Sequence, residues 1–202
     1  MTAHTFGHST VAKPTGHDAS GWHKFTCGHC GRDVSGAIIA AVNRREGGFI
    51  YWLQCSACHD ASVLADDQNY YPGLAYGPVI EGLPDDVSAA YKEARQCLSV
   101  NANTASEGMC RKILMHIAVD KGANEREPFA AYIDFLEHEG YVTPPMKEWV
   151  VLIKDHGNEA NHKLPASDRQ RAEGTLQFTA QLLRTVYEMG FLSKKFAKPK
   201  TS

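Results

Sequence analysis

Nowhere in this chain do apolar residues run on for anything near the roughly 20 needed to cross a bilayer, and the N-terminus lacks a signal-peptide hydrophobic core. Both absences point to a cytoplasmic protein with no membrane partner. Surplus charge is missing as well. With a net charge of −2, nothing draws the whole chain toward nucleic acid, so any such binding needs a local patch. No internal repeat is visible. Residues 1–20 are mostly small and polar, lack periodicity, and read as a disordered N-terminus. Their histidines, His4, His8 and His17, follow no helix face and no metal-ligand spacing.

What is present begins with cysteine. Of six cysteines, four form two C-x-x-C pairs, Cys27 with Cys30 in "FTCGHCGRD" and Cys55 with Cys58 in "WLQCSACHD". Two residues inside each pair let a tight turn aim both thiolates at one ion, and a glycine within the first turn is expected to ease its bend. Two such knuckles complete a tetrahedral four-sulfur shell, the pattern of a structural zinc ion. A disulfide or a redox C-x-x-C is the rival, but a redox motif needs no second copy at this spacing. Between the pairs, "GGFIYWLQ" reads as a turn and then a strand. These features define a small β zinc ribbon over residues 21–62. Four thiolates leave no open position for water or substrate, so the zinc supplies folding energy to a small segment. His29 and His59 then read as exposed loop residues.

The ribbon also carries Trp22, Lys24, Phe25, Arg32, Arg44, Arg45, Tyr51 and Trp52. Aromatics interleaved with basic residues can stack on bases and contact phosphates. With no net positive charge in the segment, the simpler reading is that the aromatics pack the ribbon and the arginines solvate it.

Residues 63–82, with Pro72, Gly73, Gly77, Pro78 and Gly82, read as a linker. From 83 to 192 the pattern is helical. Val87, Tyr91, Ala94 and Leu98 share one face behind a cap at Asp85 or Asp86. A second helix starts near Thr104 and buries Met109, Ile113 and Ile117. Pro128 opens a third, with Phe129, Tyr132, Ile133 and Leu136 inward and Gly140 as its stop. Pro144-Pro145 start a fourth, and the capping box "SDRQ" at 167–170 starts a fifth that runs to about Gly190. The expected fold is therefore mainly α, an antiparallel helical bundle of about five helices preceded by the ribbon. Cys97 and Cys110 read as buried thiols. Residues 193–202 form a basic tail.

The fourth helix ends in an unusual stretch, "KDHGNEANH" at 154–162. Met146, Trp149, Val150, Ile153, Gly157 and Ala160 fall on one apolar stripe. Lys154, Asn158 and His162 are spaced i, i+4 and i+8 and share one flank, with His156 on the other. A polar flank with His and Asn near a helix end is equally what a capped surface helix shows.

The stretches "LPDDVSAAYKEARQCLSVNANTASEGMCRKIL", "YVTPPMKEWVVLIKDHGNEANH" and "ASDRQRAEGTLQFTAQLLRTVYE" resemble the family of the domain of unknown function 4145, over residues 83 to 190. That family is similar to the HEPN (higher eukaryote and prokaryote nucleotide-binding) helical bundles. The resemblance implies metal-independent ribonucleases of antiviral, restriction or toxin systems that act as homodimers through an Arg-plus-His motif. It marks Gly157, Asn158 and His162 as the "GN-x-x-x-H" core. It also implies Lys154, Asn158 and His162 as the catalytic set. This chain departs from the family pattern at Lys154, where arginine is preferred, and at Met115, where glutamate is preferred; Arg111 fits its position. The alternative implied is a non-catalytic adaptor or sensor that binds a defence-system partner protein, RNA or another nucleic acid through ribbon and bundle.

Overall fold

The computed structural model describes residues 21–44, 47–66, 69–159 and 167–197. The chain divides into two compact units, Met1–Ala75 and Tyr76–Ser202.

The first unit is a five-stranded antiparallel sheet in which every strand pairs with its neighbour in sequence. The strands are β1 (Trp22–Thr26), β2 (Asp33–Asn43), β3 (Phe49–Gln54), β4 (Ala61–Asp66) and β5 (Asn69–Tyr71). Side chains alternate between faces, as a pleated strand requires. Phe25, Leu53 and Leu64 point inward and are buried with Cys27 and Cys55, and Val34, Ile38, Tyr51 and Tyr70 pack around them. The sheet curls until its outermost strands meet. Phe25 on β1 stacks on Tyr70 of β5, with ring centroids 5.5 Å apart and planes 12° from parallel. His23 Nε2 lies 2.8 Å from the Tyr70 hydroxyl.

Two features of β2 permit this curl. A Cβ on Gly36 would sit 2.5 Å from the Phe25 ring and 2.9 Å from the Gln54 carbonyl oxygen, so only glycine lets the ring lie across the strand. The register with β3 also shifts between Ile38 and Ala40, a bulge of the kind that bends a strand and increases its twist.

The second unit holds α1 (Asp85–Ser99), α2 (Asn103–Asp120), α3 (Phe129–His138) and α4 (Lys147–Glu159), the last entered through a 3-10 turn at Pro144–Met146. The final rod is α5 (Arg169–Leu183), which continues through a π-helical turn at Arg184–Glu188 into α6 (Met189–Phe196). α2 packs against α1, α3 and α5. Leu98, Leu114, Ile117, Ile133, Leu136, Leu176 and Leu183 are fully enclosed. Each such side chain contributes about 1.5–3 kcal/mol by leaving water. The faces expected from periodicity are the buried ones: Val87, Tyr91, Ala94 and Leu98 on α1, and Phe129, Tyr132, Ile133 and Leu136 on α3. Gly140, at φ 79°, stops α3.

Several expectations need correction. The chain is not a mainly α helical bundle with a minor ribbon, because a curled five-stranded sheet forms a unit of its own. The stretch 63–82, read as linker from its glycines and prolines, carries most of β4 and all of β5. The N-cap of α1 is Pro84 rather than an aspartate, although the Asp86 carboxylate accepts the first-turn Val87 N–H at 2.9 Å. α5 is capped by Asp168, whose carboxylate accepts the Arg171 N–H at 2.8 Å, rather than by a box beginning at Ser167. The rod also runs past Gly190, so residues 193–196 of the basic tail are helical.

Candidate metal centre and the α4–α5 cleft

The meander itself brings the four cysteines together. The turn between β1 and β2 and the turn between β3 and β4 lie at the same end of the sheet, and each holds one C-x-x-C pair. The two turns are built alike. In the first, the Gly31 N–H donates to the Cys27 carbonyl at 2.8 Å and the Cys27 N–H donates to the Arg32 carbonyl at 3.0 Å. In the second, His59 N–H donates to the Cys55 carbonyl at 3.0 Å and Cys55 N–H to the Asp60 carbonyl at 3.0 Å. The fourth residue after the leading cysteine is left-handed in both, Gly31 at φ 70° and His59 at φ 64°. The Ala57 and Cys58 N–H groups point at the Cys55 sulfur, at 3.3 and 3.5 Å.

The four sulfurs all lie within 4.8 Å of one another. Across the knuckles, Cys27 Sγ is 3.7 Å from Cys58 Sγ and Cys30 Sγ is 3.9 Å from Cys55 Sγ. A tetrahedron with metal–sulfur bonds of about 2.3 Å has edges of roughly 3.8 Å, so the spacing fits one ion at its centre. All four cysteines are free of disulfide bonds. Cys27 and Cys55 are buried and Cys30 and Cys58 half-buried.

The electrostatics of the cluster suit a cation. The Cys58 N–H draws the Cys55 thiol down to about 6, against the opposing effect of burial. Cys58 has a favourable N–H from Asp60, yet burial and the neighbouring sulfurs, Cys55 foremost, push it up to about 12. Burial also raises Cys27. A dication held by these sulfurs would draw the protons off the thiols.

Gly28 has a role that the sequence did not reveal. Its absent Cβ would fall 2.1 Å from the Pro72 carbonyl oxygen and 2.6 Å from that of Gly73. The glycine is there for close approach of the 72–73 backbone, not to ease the bend. The position requiring a left-handed conformation is Gly31, around which nothing lies within 4 Å. His29 and His59 are exposed, and His29 Nε2 lies 3.0 Å from the Ala61 carbonyl. Tyr51 and Phe25 pack inside the sheet, whereas Trp22 and Trp52 face out.

In the helical unit, Lys154 and Asn158 lie in α4, but their side chains, and all of Ala160 and His162, are outside the described residues, as are the surroundings of Gly157. His4, His8, His17 and Arg45 are outside them too. The part of α4 that is described has Val150 and Ile153 buried, with Trp149 edge-on to Phe178 at 6.2 Å. Next to it a cleft of about 350 Å³ opens between α4 and α5, lined by Trp149, Leu152, Ile153, Asp168, Arg171 and Thr175.

Arg171 is fixed at the wall of this cleft. Its guanidinium donates to both Glu107 carboxylate oxygens, at 2.9 and 2.9 Å, and the Ser167 hydroxyl donates to the same carboxylate at 2.7 Å. Ser167 N–H donates to Thr104 Oγ1 at 3.2 Å, which pins the start of α5 against α2. Arg111 lies over the Phe129 ring, 4.5 Å from its centroid. Burial lowers its pKa, and Glu107 partly restores it. Cys110 is enclosed, its thiol pushed up to about 12 by burial, and Cys97 is half-buried.

Among the described residues no helix is long and apolar enough to cross a membrane. Neither a curated protein nor a solved structure matches the chain. The family model described as Domain of unknown function (DUF4145) does match, over residues 92–199, more than half of the chain. The match begins within α1 and takes in every later helix, including Arg111 and the "GN-x-x-x-H" stretch. The chain belongs to the DUF4145 family.

Proposed function

We propose that this is a HEPN-like protein of a prokaryotic defence, restriction or toxin-type system. Its four-cysteine site would hold a structural zinc, and its helical unit would cleave RNA without a metal, as a cytoplasmic homodimer. Zinc is favoured because four thiolates at tetrahedral spacing make a soft, closed donor set. A closed set leaves no position for substrate, so the ion's contribution is to hold Cys27, Cys30, Cys55 and Cys58 in one folded unit. The catalytic work then falls to Lys154, Asn158 and His162. Their i, i+4, i+8 spacing suits one helix flank and would join a base, an orienting amide and a cation. His162 would accept the proton of a ribose 2′-hydroxyl, Asn158 would orient that hydroxyl, and the Lys154 ammonium would balance charge on the phosphorane.

The observation that carries this reading is the family match spanning α4 and its "GN-x-x-x-H" stretch. The test is incubation of the purified protein with total RNA, with and without chelator. Cleavage should persist with chelator, spare DNA and leave a cyclic phosphate on the 5′ fragment. His162→Ala should abolish it in a variant that still melts as wild type does, while His156→Ala retains it. Lys154→Arg should preserve or raise it, because a guanidinium can hold two phosphate oxygens.

A second reading, a non-catalytic adaptor that binds a partner protein or nucleic acid, is favoured by Arg111. That arginine fits a family position, yet it is half-buried and stacked on Phe129. RNA left intact by a folded protein that binds a partner would establish the adaptor reading.

A further inference from the structure

The interior of the curled sheet holds a polar group that its packing leaves unexplained. Ser62 on β4 is 0% exposed, and its hydroxyl oxygen has no hydrogen-bond partner. Strand register fixes where the side chain lies. Ser62 pairs with Leu53 and sits two residues before Leu64, and both leucines are enclosed, so all three share the inward face. Burying a hydroxyl without a hydrogen bond is unfavourable, and an alanine would pack here without that penalty. A serine at this position therefore points to an acceptor that the apolar interior itself does not supply.

The four-cysteine centre lies along the same face. Beyond the last pair of β3 and β4, Gln54 with Ala61, the Cys55 N–H donates to the Asp60 carbonyl at 3.0 Å and carries the ladder one residue further. Cys55 and Ser62 are thus diagonal neighbours on the inward side. Such neighbours stand roughly 6–7 Å apart at Cβ, and the Cβ–S and Cβ–O bonds close about 3 Å of that. Donors already converge on this sulfur, the Ala57 and Cys58 N–H groups at 3.3 and 3.5 Å. A thiol accepts weakly, whereas the thiolate that a bound ion requires accepts strongly.

We infer that Ser62 is a positioning residue of the metal centre, its hydroxyl donating to the metal-bound Cys55 thiolate as a third hydrogen bond beside those from Ala57 and Cys58. A donor from behind the ligand holds the sulfur in place and draws off part of its charge, which keeps it on the ion and makes it a poorer nucleophile. The interior serine then has its acceptor when the site is loaded. The inference rests on the zinc reading above and adds a residue to it that the C-x-x-C pattern does not contain.

The test uses the full-length protein loaded with Co²⁺, whose sulfur-to-metal charge-transfer band reports on the thiolates, and with Zn²⁺ for affinity. Ser62→Ala removes only an oxygen from the interior, so the variant folds and takes up metal. Its charge-transfer band should move to longer wavelength, because a thiolate that loses a hydrogen bond gives up its electrons more readily. Competition with a chelator should show Zn²⁺ held about 10- to 100-fold more weakly. Alkylation of the Zn²⁺-loaded protein by iodoacetamide, followed by peptide mapping, should be faster at Cys55. A hydroxyl that is only packing, or that holds a trapped water, would leave band and affinity where they are in wild type. That result overturns the inference, as does faster alkylation confined to another cysteine. Wild type that takes up neither ion overturns the zinc reading and this inference together. Wild type that loads normally while Ser62→Ala matches it overturns this inference alone.

Discussion

Gly28→Ala offers a sharp test of how the metal centre is built. The added methyl would meet backbone rather than a yielding side chain: 2.1 Å from the Pro72 oxygen, 2.6 Å from the Gly73 oxygen and 2.7 Å from the Pro72 carbonyl carbon. Relief requires moving either the first knuckle or the 72–73 segment that follows β5. Overpacking of this kind costs about 1–3 kcal/mol, and each 1 kcal/mol lowers the melting temperature of a unit this size by about 4–8 °C. Gly31→Asn in the same turn is the control. Gly31 has open space around it and needs only a left-handed conformation, which asparagine tolerates. Thermal unfolding followed by tryptophan emission, with metal release monitored by a chromogenic chelator, separates the two. A Gly28→Ala protein that melts and holds its metal like wild type, while Gly31→Asn does not, would refute the reasoning.

Three further outcomes follow from individual residues. His59→Gly should raise the stability of the sheet unit by about 0.5–1 kcal/mol. Relief of a left-handed side chain is worth about 1–2 kcal/mol and the more flexible unfolded chain returns part of it; an unchanged or lower melt would contradict the left-handed assignment. Glu107→Ala should destabilise the helical unit by about 1–3 kcal/mol, because it removes the buried carboxylate that accepts from both the Arg171 guanidinium and the Ser167 hydroxyl. A urea midpoint matching wild type would show that solvent reaches the pair. Asp120→Asn should cost less than about 0.5 kcal/mol at neutral pH, since the carboxylate is half-exposed. The Lys121 ammonium, 2.8 Å away, holds the Asp120 carboxyl below its ordinary range. That contribution is therefore complete above the unfolded carboxyl pKa and fades as pH falls through the depressed folded value, where mutant and wild type should converge.

The parts of this molecule that obey one strong periodicity were readable from its residues. The 3.6-residue faces of α1 and α3 are the buried faces, because each packs one apolar stripe against its neighbours. The four cysteines were legible for a different reason: the C-x-x-C spacing encodes a ligand geometry directly. Of the sheet, β3 was legible as the strand in "GGFIYWLQ", and the remaining strands were not. β2 mixes Gly36, Ala37, Ala40 and Ala41 with a bulge at Ile39, which breaks the alternation that marks a strand. β5 borders the Pro72-Gly73 stretch, and it was absorbed with most of β4 into an expected linker. Their pairing depends on β3 beside them, a long-range fact that local pattern does not carry. Gly28 shows the same limit at one position, because its neighbours at 72 and 73 are distant in sequence.

The most direct measurement of the metal centre is elemental analysis of protein purified without chelator, combined with titration of its reactive thiols before and after unfolding with chelator. We expect one zinc per chain. Cys27, Cys30, Cys55 and Cys58 should be protected in the native protein and all four should become reactive once the ion is removed. Protein that is folded and metal-free, or in which those four sulfurs never appear as thiols, would contradict a structural zinc site.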